Sequence, residues 1–482
     1  MFSKMNRWIF FFAALAALAS AANSGKKIVC YFGSWSVYRP PGGKFDISYI
    51  PPQLCTHMIY TFVGITSDGG VKVLDGWQDL TDNWGKGGFQ RFNKLREQSP
   101  GTKTLIAIGG WNEGSARYSE VMSDPVRRSR FAKNIVEFVE KYDFNGFDLD
   151  WEYPNQRGGK PEDVQNFVRL LEELRPEFDK RGLILSAAVA AAEPSASLSY
   201  DIPKLSKYLD FINIMAYDLH GAWEKTTGLN APLYPRKGES GNELKLNVDA
   251  CVQYWLKSGC APEKLILGVG FYGRAFTLAD KNQNGVGAPT RGAGAAGPYT
   301  REPGMLGYNE ICEFVKQGGW TVVRDEEQRV PYAIKGDQWV GYDDVISLNE
   351  KMDYVNSLNL GGAMLWSIET DDFKGNCGEA YPLLKTLNVK LRGGVPVEPP
   401  TEKPNTTNPP TEQPTQPPAT PPPTGICKKP GFVRDEKDCS IFYQCIVVND
   451  GYKIERFNCP NGLAFDPSIN GCNFKNNVAG CN

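Results

Sequence analysis

Eight short apolar runs recur along the chain, and amphipathic helical stretches separate them. The runs lie near Ile28–Gly33, His57–Phe62, Thr104–Ile108, Gly146–Asp150, Leu183–Ala187, Phe211–Met215, Leu265–Val269 and Gly362–Trp366. Helix-like patterns between them include Ser129–Tyr142, Val164–Glu177 and Val248–Ser258. Strands that alternate with helices pair in parallel, each crossover laying a helix on the sheet. Eight such units over roughly 360 residues predict an α/β chain folded as a (β/α)8 TIM barrel. In that fold reactive groups sit at the C-terminal ends of the strands.

The gap between the seventh and eighth runs is too long for one helix. Residues from about 271 to 344 carry Gly-rich turns and β-like runs at Trp320–Arg324, Val330–Ile334 and Gln338–Tyr342. An α+β insertion between strands 7 and 8 is therefore expected.

The fourth run is unusual. In Phe144-Asn145-Gly146-Phe147-Asp148-Leu149-Asp150-Trp151-Glu152-Tyr153-Pro154, three acids stand at alternate positions. Successive strand side chains point to opposite faces, so Asp148, Asp150 and Glu152 line one face. Carboxyls that close raise one another's pKa, and a shared proton is expected. A solvated edge strand would not carry Phe-x-Leu-x-Trp on its other side. An acidic row facing inward points to acid/base chemistry.

Other strand ends supply aromatic and polar groups. Tyr31 and Trp35 flank the first strand, Gly110-Trp111-Asn112 follow the third, and Met215-Ala216-Tyr217-Asp218 end the sixth. Tyr272 and Arg274 follow the seventh, and Trp366 ends the eighth. Trp35, Trp111, Trp223 and Trp366 converging on one mouth would make a platform for sugars, whose C–H faces pack on rings.

The acidic run resembles the Asp-x-x-Asp-x-Asp-x-Glu signature of family 18 glycoside hydrolases, the chitinases. Asn145 stands where the first Asp is commoner. Ala107-Ile108-Gly109-Gly110 resembles the second family motif, with Ala in place of Ser, a departure that bears on the packing around Asp148. The resemblance covers about residues 26–392. It implies Glu152 as catalytic acid, with Asp150 and Asp148 as its partners. Tyr217 and Asp218 would contact the sugar's N-acetyl group, and Trp366 would floor the cleavage subsite. Trp111 and Trp223 would lie on the product side and nearby, Trp35 further along the substrate side, and Arg274 and Glu302 along the groove. Tyr31, Gly110, Asn112, Met215 and Tyr272 complete the expected substrate-binding set. The insertion would build one wall of the groove. The implied reaction is endo-acting hydrolysis of chitin and chito-oligosaccharides without metal or cofactor. Chitinase-like lectins of this family typically lose the acid that stands here as Glu152.

The rest of the chain is organised around this unit. Residues 1–22 read as a signal peptide: Lys4 and Arg7 precede an apolar run from Trp8 to Ala19, little more than half of what a bilayer core requires. Residues 23–393 form the expected catalytic domain. Residues 394–425 are an extended spacer, for 12 prolines fall between Gly393 and Gly425 with almost no apolar residue to build a core. Its Thr-Pro content suggests O-glycosylation, and Asn405-Thr406-Thr407 is an N-glycosylation sequon.

The 12 cysteines fit an oxidising, extracellular setting. Six of them, Cys427, Cys439, Cys445, Cys459, Cys472 and Cys481, crowd into the last segment with spacing C-x11-C-x5-C-x13-C-x12-C-x8-C. A unit that small needs disulfides, and spacing alone leaves 15 connectivities open. Phe442-Tyr443-Gln444-Cys445, Phe457 and Gly462-Leu463-Ala464-Phe465-Asp466 resemble the peritrophin-type (family 14) chitin-binding domain, placed at 426–482. That resemblance implies Cys427–Cys445, Cys439–Cys481 and Cys459–Cys472. Cys30, Cys55, Cys312 and Cys377 are also expected in disulfides, whereas the state of Cys251 and Cys260 is left open.

A formal charge of -2 gives no reason to expect nucleic acid or an anionic membrane as partner. Two histidines, His57 and His220, and no Cys-x-x-Cys pair argue against a zinc site. A secreted monomer acting on chitin is the expectation.

Overall fold

Eight parallel strands close on themselves: β1 (Lys27–Gly33), β2 (His57–Ile65), β3 (Lys103–Gly109), β4 (Gly146–Asp150), β5 (Ile184–Ala190), β6 (Phe211–Met215), β7 (Leu265–Gly270) and β8 (Gly362–Trp366). Their order is β1-β8-β7-β6-β5-β4-β3-β2, and pairing of β1 with β2 completes the (β/α)8 barrel. This is a computed structural model; it describes residues 25–393 and, toward the C-terminus, 427, 431–448, 451–459, 463–467, 471–474, 478, 480 and 481. The signal peptide expected at 1–22, the spacer at 394–425 and Asn405 lie outside the described residues. The chain divides into two compact units, residues up to 399 and from 400 onward.

The strands read as continuous apolar runs because both of their faces are covered. Strand β7 is buried at every position, and β3 at every position after Lys103. The helices form where sequence supplies both a cap and an apolar stripe. Asp124 accepts from the Val126 and Arg127 N–H groups and Pro125 opens the helix Pro125–Lys141. Phe131, Ile135, Phe138 and Val139 then bury one face of that helix. Each large apolar side chain so buried contributes about 1.5–3 kcal/mol. The helix Asp163–Arg181 stops at Gly182, whose left-handed φ of 63° a side chain would resist. Among the described residues no helix is long and apolar enough to cross a membrane.

The insertion between β7 and β8 is an antiparallel sheet. Tyr272–Leu278 pairs with Thr290–Ala293, Met305–Gly307 and Gln338–Gly341, and the sheet continues through Val330–Lys335 to Thr321–Asp325. One face buries Phe276, Leu278, Tyr332 and Trp339. The other packs Ala275, Ala333, Val340 and Tyr342 with Ile311 of the helix Tyr308–Gln317. The sheet's first strand leaves the barrel mouth directly, which places Tyr272 and Arg274 beside the ends of β6 and β7.

Disulfides join Cys30 to Cys55 and Cys312 to Cys377, the second tying the insertion helix to the segment after β8. Cys251 and Cys260 are unpaired and buried, and burial pushes both thiols up to about 12. Burial and the raised pKa both disfavour the reactive thiolate.

In the C-terminal unit, Gly431–Arg434, Ile441–Val448 and Gly451–Asn458 form an antiparallel sheet, and Leu463–Asp466 pairs with Gly471–Phe474. Disulfides join Cys427 to Cys445 and Cys439 to Cys481, and Cys459 is disulfide-bonded as well. The side chain of Cys472 lies outside the described residues. Phe442 stacks on Phe465 at 4.4 Å and on Phe457 at 5.4 Å.

Candidate active site

Strand β4 carries Asp148 and Asp150 into the barrel, and Glu152 follows two residues beyond its end, with Trp151 buried on the opposite side. The neighbouring strand has to approach closely. A Cβ on Gly109 would lie 2.1 Å from the Asp150 carbonyl oxygen, and Gly109 sits at φ 114°. Only glycine fits there. Gly110 then donates its N–H to the Asp150 carbonyl at 2.9 Å. The Gly-Gly pair thus locks the β3 loop, which carries Trp111, onto the acidic strand.

Asp148 is fully buried and well supplied with donors. Tyr31 donates to its Oδ2 at 2.7 Å and Ser186 to its Oδ1 at 2.5 Å. Asn213 donates to the Tyr31 hydroxyl at 3.0 Å. Ala107 is the register partner of Asp148 on β3, and Ser186 is its partner on β5. The hydroxyl missing from Ala107 is thus matched by one from the other neighbouring strand. Burial raises Asp148 to about 6, opposed by the Ser186, Tyr31 and Asn213 hydrogen bonds.

Asp150 is held well above the carboxylate range, first by burial and then by the charges of Glu152 and Asp148. Its Oδ1 is buried without a hydrogen-bond partner among the described residues. Glu152 is raised to about 7, chiefly by burial, with Tyr153 and Arg157 working against the shift and Asp218 adding to it. Burial thus raises all three carboxyls of the row, and one inward-facing oxygen has no partner among the described residues.

The surrounding walls come from several elements. Trp366, the last residue of β8, lies 5.7 Å from the Tyr31 ring and 6.1 Å from Trp35, which is 41% exposed on the turn after β1. Tyr217 and Asp218 follow β6. The Tyr217 hydroxyl is 3.8 Å from Met364 Sδ, and its ring meets Tyr272 edge-on at 6.0 Å. Tyr272 donates to Asp218 Oδ1 at 2.6 Å, and Arg274 grips both Asp218 oxygens at 2.6 and 2.7 Å. The Arg274 guanidinium lies 5.4 Å from the Trp223 ring and feels the charge of Glu302, an exposed residue on the loop before Met305. Trp223 and Trp111 are 61% and 59% exposed, apolar surface that water covers poorly. Met215 is half-buried at the end of β6, and Asn112 is exposed beside Trp111.

Several contacting residues were not singled out from the sequence. Ser186 and Asn213 interrupt apolar strands at inward positions, a signal that was readable. Arg157 gave none: its guanidinium lies 3.5 Å from the Trp111 ring and donates to the carbonyls of Trp111 and Glu152 at 2.9 Å each.

Raised carboxyls and exposed tryptophans around one barrel mouth suit acid/base cleavage of a sugar, the chemistry of the glycoside hydrolases. The chain belongs to glycosyl hydrolases family 18, whose family profile matches residues 27–371; residues 427–481 match the chitin binding Peritrophin-A domain. "Probable chitinase 2" of Drosophila melanogaster is 42% identical over 395 residues, 75% of this chain and 80% of the relative. The crystal structure of Ostrinia furnacalis Group IV chitinase in complex with allosamidin is 48% identical with a TM-score of 0.74, over 76% of this chain and 99% of that one. Human YKL-39, described as a pseudo-chitinase with retained chitooligosaccharide binding properties, is 39% identical with a TM-score of 0.70, over 77% of this chain and 100% of that one.

Proposed function

We propose that the protein is a secreted, endo-acting chitinase that cleaves β-1,4 linkages between N-acetylglucosamine units with retention. The observation that carries this reading is the acidic row: Glu152 raised to about 7 beside a buried Asp150 whose Oδ1 lacks a donor among the described residues. Family 18 departs from the two-carboxylate scheme by using the substrate's own acetamido group. Glu152 gives its proton to the glycosidic oxygen as the bond to the anomeric carbon breaks. The acetamido oxygen bonds to that carbon, forming an oxazolinium ion. Asp150 accepts the acetamido N–H and balances the growing positive charge. Asp148 shares a proton with Asp150, and Tyr217 steadies the acetamido oxygen. Glu152, now a carboxylate, takes a proton from the water that attacks the anomeric carbon.

Trp366 floors the subsite where cleavage occurs, Trp35 extends the substrate side, and Trp111 and Trp223 receive the product side. Tyr31, Gly110, Asn112, Met215, Asp218, Tyr272, Arg274 and Glu302 line the groove. Residues 1–22 direct secretion, 23–393 do the chemistry, 394–425 form a spacer glycosylated at Asn405, and 426–482 hold the enzyme on chitin. Tethering of this kind raises the catalyst's local concentration at an insoluble surface.

Colloidal chitin and proton NMR test the proposal. Soluble sugars should be released, and the first product from a chitin hexamer should be the β-anomer. An initial α-anomer contradicts the mechanism. Binding without release puts the protein with the pseudo-chitinases.

A further inference from the structure

Asn230 stands behind the groove, 1% exposed, and belongs to neither the acidic row nor the aromatic platform. Its side chain joins two parts of the wall. Oδ1 accepts the backbone N–H of Asp218 at 2.9 Å, and Nδ2 donates to the backbone carbonyl of Tyr272 at 3.1 Å. Its own carbonyl accepts from Leu219 at 3.0 Å. One amide thereby bridges the loop after β6 and the first strand of the insertion. Asparagine presents an acceptor and a donor on one short planar group, and aspartate, leucine or alanine would lose at least one of the two bonds.

The bridge lies under a strained residue. Asp218 has φ 55°, a left-handed conformation that persists where surrounding structure holds it. The Asn230 bond to its N–H is part of that hold. Asp218 then meets Tyr272 and Arg274 through three hydrogen bonds of 2.6–2.7 Å. The bridge itself is anchored. Lys351, wholly buried, donates to the Ala231 carbonyl and to both oxygens of Asp343, each at 2.7 Å. The backbone next to Asn230 is thereby tied, through the Ala231 carbonyl, to a buried ion pair.

We propose that Asn230 is a positioning residue that sets Asp218 against Tyr272 and Arg274 and so fixes where the groove holds the sugar's N-acetyl group. The inference rests on the proposed chitinase reading for its substrate, and on backbone geometry for its mechanism. Because the acetamido oxygen is the nucleophile in that reading, a displaced Asp218 lowers kcat more than it raises KM.

The test is a double-mutant cycle on chitopentaose with the full chain. Asn230→Ala should lower kcat/KM about tenfold to a hundredfold, mainly in kcat. In an Asp218→Ala background the same change should cost no more than about twofold. Equal losses in both backgrounds overturn the inference. Should Asn230→Ala not fold, Asn230→Asp enters the same cycle, keeping the acceptor for Asp218 while setting an oxygen against the Tyr272 carbonyl. A crystal structure of the variant gives a readout apart from turnover. Asp218 displaced from the Tyr272 hydroxyl supports the role, and an intact contact overturns it. A wild-type chain inert on chitopentaose, together with a displaced Asp218 in the variant, overturns the chitinase reading and leaves the positioning role standing.

Discussion

Tyr31 and Asp148 lie 117 residues apart in the chain, and the Tyr31 hydroxyl donates to Asp148 Oδ2 at 2.7 Å inside the barrel. The bond favours the charged carboxyl and opposes the rise to about 6 that burial imposes on Asp148. Tyr31→Phe removes it without changing the ring's packing on Trp366. Hydrogen bonds to charged groups are worth about 1.5–3 kcal/mol, so turnover should fall about tenfold or more. The sign of the pH effect follows from linkage. A carboxyl raised in the native state binds its proton more tightly there than in the unfolded chain. The stability from that difference is present below the unfolded carboxylate pKa and is lost as pH rises through about 6. Removing a donor enlarges the loss. The Tm gap between wild type and Tyr31→Phe, measured by calorimetry, should therefore be wider at pH 8 than at pH 4; a gap independent of pH contradicts this account.

Glu152→Gln keeps shape and removes the transferable proton. Hydrolysis of chito-oligosaccharides should fall at least ~10³-fold, the combined scale of acid/base and electrostatic catalysis. Binding of the same sugars by titration calorimetry should stay within a few-fold of wild type. A variant that keeps a tenth of wild-type turnover would remove Glu152 from the role of acid.

The pH–rate profile reports the same group. Glu152 must be protonated to act as acid, so kcat/KM should decline as pH rises through about 7. The Arg157 charge works to lower the Glu152 pKa. Arg157→Gln should therefore move the alkaline limb to higher pH. A limb that stays put or moves down shows that the guanidinium acts only through Trp111.

Truncation after Arg392 removes the spacer and the six-cysteine unit. Rates on soluble chitotetraose should match the full chain, and rates on colloidal chitin should drop by about tenfold or more, because tethering multiplies effective concentration without new contacts at the groove. Equal rates on both substrates would leave the C-terminal unit without a part in catalysis on the solid.

Much of the scaffold was legible because it depends on local period. Parallel barrel strands are buried on both faces, so each appears as an apolar run, and Gly146–Asp150, Phe211–Met215 and Gly362–Trp366 fall where the pattern places them. The acidic row of β4 was legible for the same reason, since a period of two assigns three carboxyls to one face. Ser186 and Asn213 could have been read as polar interruptions at inward positions.

The amino-acid order alone thus determined the element types, their alternation and the row of acids, all properties of neighbouring residues. Barrel closure decided the rest, because it brings together groups whose separation in sequence carries no signal. It sets Ser186 across from the residue where Ala107 lacks a hydroxyl, folds Arg157 back onto Trp111, and lays Tyr272 and Arg274 of the insertion against Asp218. Cys251 and Cys260 make the contrast plain. Nine positions apart, they could have paired on spacing alone, yet each thiol is buried in its own place, Cys251 near the Lys245 carbonyl and Cys260 near that of Ala261. A disulfide needs its two Cβ atoms within about 4.5 Å, and the packing of the helix Val248–Lys257 and the turn after it, not the distance along the chain, sets that separation.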